Sequence, residues 1–181
     1  MKLNINEEAK LLLSVGSHRK RRPLSPIEVS KLIQRLLEYG GPTICGPGTT
    51  RTEIASKLGF KGKEMVDRFL SLLSLPITIQ EMFGWEGIGD GKLTFSIGTE
   101  LAKLQDEQDK EILAKVALEH NLTKKEVVSI VQLKLRNPSK TINECIEDIK
   151  RIRPVIKKGY VIVTKLTAES VSRLREHSVR N

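Results

Sequence analysis

Charged side chains spaced along one predicted helix have the clearest capacity for binding chemistry in this chain. In the segment 61–75, KGKEMVDRFLSLLSL, apolar residues recur at helical spacing: Met65, Val66, Phe69, Leu70 and Leu73. The opposite face then carries Lys61, Lys63, Glu64, Asp67, Arg68 and Ser71. Lysine and arginine can bind phosphates or guanine, whereas a carboxylate can accept a hydrogen bond from cytosine. This face therefore has the chemistry needed to read the edges of base pairs.

A shorter helix is predicted just before this one. Thr50 and Glu53 have the spacing of a capping box, in which each side chain hydrogen-bonds the backbone amide of the other residue. Gly59 is expected to end that helix, because glycine adopts the left-handed conformation at little steric cost. Two helices joined in this way form a helix-turn-helix, whose second helix lies in the major groove of DNA. An ordinary helical hairpin in an all-α core would have the same pattern.

The composition favours a globular protein with an anionic partner. Of the 181 residues, 39% are hydrophobic and 29% are charged, as in ordinary soluble domains. The formal charge of +9 suits binding to phosphates, although membrane surfaces and other acidic partners would also attract it. No segment approaches the roughly 18 apolar residues of a membrane span. We therefore expect a cytoplasmic, nucleoid-associated protein with no membrane partner.

Neither catalysis nor metal binding is predicted. His18, His120 and His177 are scattered along the chain, and no Ser-His-Asp arrangement can be placed. Cys45 and Cys145 are far apart and suggest neither a zinc site nor a disulfide framework. We expect a protein that is not an enzyme, holds no cofactor or metal, and works in a reducing compartment.

A basic run lies ahead of the predicted helix-turn-helix. The cations are Arg19, Lys20, Arg21 and Arg22. In a DNA-binding protein such a run can follow the phosphate backbone or enter the minor groove as an arm. Many basic runs are simply solvated, so both interpretations remain open at this point.

Most of the remaining chain is predicted to be helical. Start signals, chiefly capping boxes and a proline at a first helical position, place helices at 7–15, 26–39, 76–83, 95–104, 107–120, 124–136 and 141–153. Trp85 lies in a glycine-rich segment and is expected to anchor a loop on the core. A lone aromatic residue without basic neighbours is a poor platform for stacking a base.

The end of the sequence has a different pattern. Residues 160–166, YVIVTKL, have the one strong strand pattern, and a helix is predicted at 168–178. The strand needs a pairing partner, which either a second copy of the chain or an irregular edge of the same chain can supply. The first alternative gives a homodimer, which suits a palindromic DNA site.

The expected fold is mainly α: a multi-helix helix-turn-helix domain with a small C-terminal strand-helix element. The sequence divides into an N-terminal helix and basic arm at 1–22, the helix-turn-helix domain at 23–137, and a C-terminal helix, strand and helix at 138–181. The last part is the predicted dimerisation element.

Several blocks follow one another in an order that is specific to one family. VDRFLSLLSLP, GKLTFS and NLTKKEV, with the helices around them at about 24–136, resemble the helix-turn-helix DNA-binding domain of ParB-like partition proteins, including the KorB and sporulation-protein groups. The resemblance implies dimeric binding of centromere-like or operator double-stranded DNA, in partition or transcriptional regulation, with a partition ATPase as a further partner. The glycine-rich connector before Thr50 and the Trp85 segment depart from the family by inserting residues where relatives turn tightly.

The resemblance also implies DNA contacts at particular residues. They are Thr50, Arg51 and Thr52 at the start of the first helix, Lys61, Lys63, Glu64, Asp67 and Arg68 around the second, and Thr94, Ser96 and Thr99 beyond it. Family members usually carry a nucleotide-binding module ahead of this domain, which the 22 residues before Pro23 cannot hold, so no CTP-driven closure is expected. The alternative from another class is a helical adaptor that binds a protein partner such as a partition ATPase without reading DNA.

Overall fold

The computed structural model describes residues 3–15, 22–43, 46, 48–85 and 91–152. Within these ranges the chain is mainly α, as predicted, with nine α-helices and a 3-10 turn (Leu72–Ser74). The helices are α1 (Ile5–Val15), α2 (Pro26–Tyr39), α3 (Arg51–Lys57), α4 (Lys63–Ser71), α5 (Ile77–Gln80), α6 (Phe95–Leu101), α7 (Glu107–Glu119), α8 (Lys124–Arg136) and α9 (Ile142–Ile152). The predicted strand at 160–166, the helix at 168–178 and the cations at 19–21 lie outside the described residues.

Hydrogen bonds at the helix starts explain why these segments are helical. At α3, Thr50 Oγ1 accepts from the Glu53 amide at 3.3 Å, and the Glu53 carboxylate accepts from the Thr50 amide at 2.7 Å. The same predicted arrangement begins α2, α8 and α9 through the pairs Ser25 and Glu28, Thr123 and Glu126, and Thr141 and Glu144. Each box satisfies amides that the first helical turn leaves unpaired, and losing such a cap costs about 1 kcal/mol.

The first four helices share one apolar core. α2 packs against α1, α3 and α4, and α3 packs against α4. The buried apolar side chains are Leu3, Leu11, Val29, Leu32, Ile33, Leu36, Ile54, Ala55, Leu58, Val66 and Phe69. α4 therefore rests on α2 and α3 through its buried side.

The later helices build a second core, and an aromatic contact joins it to the first. α8 packs against both α6 and α9, and α7 packs against α5, α6 and α9. Phe95, the first residue of α6, contacts both cores. Its ring centroid is 4.4 Å from that of Phe69 in α4. The start of α6 is therefore held directly against the last turn of α4.

The structure corrects the predicted extents of two helices. The helix expected at 76–83 is the single turn of α5, because Phe83 leaves it to form an isolated bridge with Leu93. The Leu93 amide donates to the Met82 carbonyl at 2.8 Å, and both bridge residues are buried. The helix expected at 95–104 ends as α6 at Leu101.

The buried face of the segment 61–75 also differs from its prediction. After Ser71 the chain tightens into the 3-10 turn, which rotates the following side chains. Leu72 is consequently fully buried, whereas Leu73 is only half-buried. A regular 3.6-residue period could not anticipate this change of pitch.

The described ranges hold neither a membrane-spanning helix nor a cluster of metal ligands. No helix there has the length and apolar character needed to cross a membrane. No group of three or more histidine, cysteine, aspartate or glutamate side chains there could hold a metal ion. Cys145 is buried, and burial raises the pKa of its thiol, so this cysteine is a packing residue of the second core.

Candidate nucleic-acid interface

Backbone hydrogen bonds fix the turn between α3 and α4. The Phe60 amide donates to the Ala55 carbonyl at 2.8 Å, and the Gly59 amide donates to the Ser56 carbonyl at 3.2 Å. These two bonds form a Schellman motif, which requires a left-handed residue after the helix, and Gly59 has φ +70°. The Phe60 ring then packs on Phe69 of α4, with 5.6 Å between the centroids. The local sequence thus sets how α4 leaves α3, as predicted from Gly59.

The side of α4 opposite its core carries charge. We refer to Lys61, Lys63, Glu64, Asp67, Arg68 and Ser71 as the α4 face. Lys61, Lys63 and Glu64 are exposed, and no carboxylate of the described residues lies within ion-pairing distance of either lysine. Gly62, the residue before α4, gives the helix no side-chain cap, and the Glu64 carboxylate lies close to Gly62. The start of α4 therefore presents two lysines without an ion-pairing carboxylate among the described residues, and the Glu64 carboxylate lies beside them.

Asp67 does not leave a bare negative charge on the α4 face. Its Oδ1 is 2.8 Å from Nη1 of Arg51, the first residue of α3. Both side chains are about half exposed, at 42% for Asp67 and 58% for Arg51. The two predicted contact residues thus form an ion pair across the helix-turn-helix, and each reduces the charge that the other shows to a partner.

Arg68 lies between α4 and α6 rather than pointing freely outward as predicted. It is half-buried, its guanidinium carbon is 5.0 Å from the Phe95 ring centroid, and Nη2 donates to Thr99 Oγ1 at 3.5 Å. It opens onto a cavity of about 390 Å³ whose lining includes Asp67, Ser71, Thr99, Glu100, Lys103 and Lys124. The guanidinium is therefore oriented by α6 while remaining in contact with solvent.

The three predicted residues around α6 occupy different environments. Thr94 caps α6 by accepting from the Ile97 amide at 3.4 Å, and its hydroxyl is 3.2 Å from that of Ser96. Thr99 is only 6% exposed, and its hydroxyl donates to the Ser96 carbonyl at 3.0 Å. Thr94 and Ser96 are accessible to a partner, whereas Thr99 lies behind Arg68.

The predicted residues at the start of α3 also separate into two groups. Thr52 is exposed. The Thr50 hydroxyl is committed to the capping box, because it accepts from the Glu53 amide and donates to the Glu53 carboxylate at 3.0 Å. Hydrogen bonds from the Thr50 amide and hydroxyl lower the pKa of Glu53. Thr50 thus holds the start of α3 in place.

Of the predicted basic arm, the described residues include Arg22. Its guanidinium carbon is 4.1 Å from the Trp85 ring centroid, and Trp85 Nε1 donates to the Leu24 carbonyl at 2.5 Å. Trp85 anchors its segment on the first core, as predicted. The expectation that it has no basic neighbour is wrong, because folding brings Arg22 onto its ring.

The part of the chain that contains α2–α8 matches a known protein family. The family model described as the ParB HTH domain matches residues 22–136. The chain belongs to the ParB HTH family. No curated protein matches it. A ParB HTH domain is a DNA-binding domain of partition systems, and the match contains both helices of the helix-turn-helix, α6 and Arg22.

Sequence reasoning missed two cations of the ParB HTH domain that share the cavity of Arg68. Lys103 follows α6, where it pairs with Glu100 at 2.6 Å, and Lys124 is the exposed first residue of α8. No spacing along the chain relates them to α4. The capping box at Thr123 could have placed Lys124 at a helix start, but only the packing of α8 on α6 brings it to this surface.

Proposed function

We propose that this ParB HTH domain reads double-stranded DNA in a sequence-specific manner with the α4 face. The observation that carries the proposal is the half-buried guanidinium of Arg68, oriented by Phe95 and Thr99, beside lysines with no described ion-pairing partner. Recognition helices lie in the major groove and read base edges chiefly from their first turns; Arg68 lies in the last turn of α4, where its contacts with α6 set its direction. The α4 face has the composition and exposure for that position.

The lysines of the α4 face and the cations near it supply affinity. Lys61, Lys63 and Lys124 are exposed, and none has an ion-pairing carboxylate among the described residues. Each lysine that binds a phosphate releases condensed counterions, which favours association without regard to base sequence. Thr52 is exposed on α3, and Thr94 and Ser96 line a groove with Met65 of α4; their hydroxyl groups provide donors for phosphate oxygens.

Arg68 provides the preference for particular DNA sequences. An arginine can donate two hydrogen bonds to guanine, and this pairing discriminates against other bases by about 1–3 kcal/mol. A side chain already restricted by Phe95 and Thr99 loses less conformational entropy when it binds. The contacts with α6 therefore favour a reading role over a merely electrostatic one.

The remaining predictions about assembly are part of the same proposal. We propose a homodimer bound to a palindromic site, acting in partition or transcriptional control, with a partition ATPase as a second partner. The family assignment supports the partition context. The predicted dimerisation strand at 160–166 lies outside the described residues, so the dimer rests on sequence reasoning.

The test is Arg68→Ala in a binding-and-sequencing selection from a random duplex library. We expect wild-type protein to select a palindromic consensus, and the variant to lose about 1–3 kcal/mol of discrimination at one position of each half-site. Arg136→Ala is the matched control, because Arg136 is exposed at the far end of α8, about 18 Å along the helix from Lys124. The control should select the wild-type consensus.

Three outcomes would contradict parts of the proposal. Unchanged selection by Arg68→Ala would remove Arg68 from base reading. Absence of wild-type binding to any duplex at low salt, together with recovery of a protein partner by pull-down, would support the adaptor function instead. A consensus without two-fold symmetry would contradict the homodimer.

A further inference from the structure

An ion pair links the two helices of the helix-turn-helix at the α4 face. Arg51 is the first residue of α3, and Asp67 lies in the second turn of α4. Nη1 of Arg51 is 2.8 Å from Oδ1 of Asp67, and both side chains are also in contact with solvent. A carboxylate can accept several hydrogen bonds, and a guanidinium carries several N–H donors. Each group of the pair therefore keeps the capacity to bind a further partner.

The ion pair explains how a carboxylate can lie on a surface that is proposed to face DNA. An unpaired carboxylate would be repelled by the phosphates that border the major groove. Arg51 balances the charge of Asp67, so the pair adds no net charge to this surface. Asp67 also lines the cavity of about 390 Å³ onto which Arg68 opens. Asp67 therefore lies beside the arginine that is proposed to read guanine.

A carboxylate held in this position favours one base. In the major groove cytosine presents its N4 amino donor, from which aspartate can accept a hydrogen bond. Adenine also presents an amino donor, but its neighbouring N7 acceptor repels a negative group, and the guanine and thymine edges present acceptors. The ion pair to a different helix restricts the torsions of Asp67 before DNA arrives. This restriction reduces the entropy lost on binding.

We propose that Asp67 is a second specificity-determining residue, which accepts a hydrogen bond from the N4 amino group of a cytosine. Arg51 is the positioning residue that orients this carboxylate and balances its charge. The inference rests on the proposed function, since it requires the α4 face to lie in the major groove. It adds a cytosine in each half-site to the base that Arg68 reads.

The first test is Asp67→Ala in the selection from a random duplex library. The wild-type consensus should contain a cytosine that this variant no longer selects, with discrimination reduced by about fivefold, the lower end for a base contact. The position that depends on Arg68 should be retained. Asp148→Ala is the matched control, because it removes a carboxylate that is 2.7 Å from Lys140 in another part of the fold. The control should select the wild-type consensus.

A modified base tests the hydrogen bond itself. N4-methylcytosine still pairs with guanine, but a methyl group replaces the amino hydrogen that faces the major groove. Placed at the selected cytosine, it should weaken wild-type binding by about fivefold in fluorescence anisotropy. It should leave the affinity of Asp67→Ala unchanged. Equal losses for both proteins would mean that Asp67 does not contact this amino group, and the inference would be wrong.

Arg51→Gln separates positioning from general stability. It should lower the discrimination for cytosine by about twofold, as expected for loss of an exposed ion pair, whereas Arg51→Lys should retain most of it. In the Asp67→Ala background, Arg51→Gln should cause no further loss of discrimination. Melting curves set a temperature at which every variant is folded. If Arg51→Gln weakens binding to all duplexes equally and leaves discrimination unchanged, Arg51 does not position Asp67.

The same selection distinguishes failure of this inference from failure of the proposed function. If Asp67→Ala selects the full wild-type consensus while Arg68→Ala loses one position, the inference fails and the proposed function stands. If wild-type protein binds no duplex at low salt, the proposed function fails, and the inference fails with it.

Discussion

The lysines of the α4 face differ in their partners from Lys134, Lys140 and Lys150, which we call the lysines of the α8–α9 region. In the α8–α9 region, Lys134 is 3.2 Å from Asp109, and Lys140 is 2.7 Å from Asp148. On the α4 face, Lys61 and Lys63 have no such carboxylate among the described residues. The first group of cations is neutralised within the fold, whereas the second is available to an external anion.

This difference matters more than the total charge. A formal charge of +9 attracts phosphates at long range but does not say where they bind. A paired lysine must give up its carboxylate before it contacts a phosphate, so it adds little to DNA affinity. This difference supports the proposed placement of DNA on the α4 face and a structural role for Lys134, Lys140 and Lys150.

The largest effect should come from removing the unpaired cations. Replacing both Lys61 and Lys63 by glutamine should weaken binding to random duplex by about tenfold near 0.1 M salt and reduce the salt slope by about 1.8. Replacing Lys140 and Lys150 by glutamine removes the same charge from the paired region, where Lys150 is 3.7 Å from Glu147. Fluorescence anisotropy at several salt concentrations measures both variants. Equal losses would show that net charge alone governs binding.

A smaller effect should follow from releasing a paired cation. Asp67→Asn frees Arg51 beside the α4 face and should tighten binding to random duplex by about threefold, the effect of one added phosphate contact. Asp148→Asn frees Lys140 with the same change in net charge and should leave binding unaltered. Tighter binding by Asp148→Asn in the same anisotropy assay would place DNA on the α8–α9 region as well.

The features that the sequence predicted correctly are those that depend on neighbouring residues. The capping box of Thr50 and Glu53 and the left-handed Gly59 need only a few consecutive residues, and both are confirmed. The order of blocks from 66 to 127 also identified the family, which the match to 22–136 confirms. Local hydrogen bonding and helical spacing therefore predicted most of the fold and the position of α4.

The features that the sequence did not predict are contacts between residues distant in the chain. The Arg51 and Asp67 ion pair, the Arg22 stack on Trp85 and the burial of Thr99 all depend on how helices pack. Each of these contacts changes how available a charged or polar side chain is to a partner, although the residue keeps its place in the sequence pattern. Sequence reasoning could therefore propose which side chains might meet DNA, but it could not distinguish available groups from committed ones.

The smallest effect in the comparison concerns two equivalent caps. Hydrogen bonds from Thr50 and Thr141 lower the pKa values of Glu53 and Glu144, respectively. A carboxyl group with a lowered folded-state pKa stabilises the fold above its unfolded-state pKa, and this contribution is lost as the pH falls through the folded-state value. Both caps should therefore weaken in acid.

Glutamine in place of either glutamate tests the caps and the α4 face together. The melting temperatures of Glu53→Gln and Glu144→Gln should lie slightly below that of the wild-type protein at pH 7, and the differences should shrink as the pH falls toward 3. Glutamine still occupies the third helical position of a capping box, so the losses are small. Only Glu53→Gln should also tighten duplex binding slightly at pH 7, because it removes a negative charge near the DNA. An equal gain from Glu144→Gln would mean that the two regions face DNA alike.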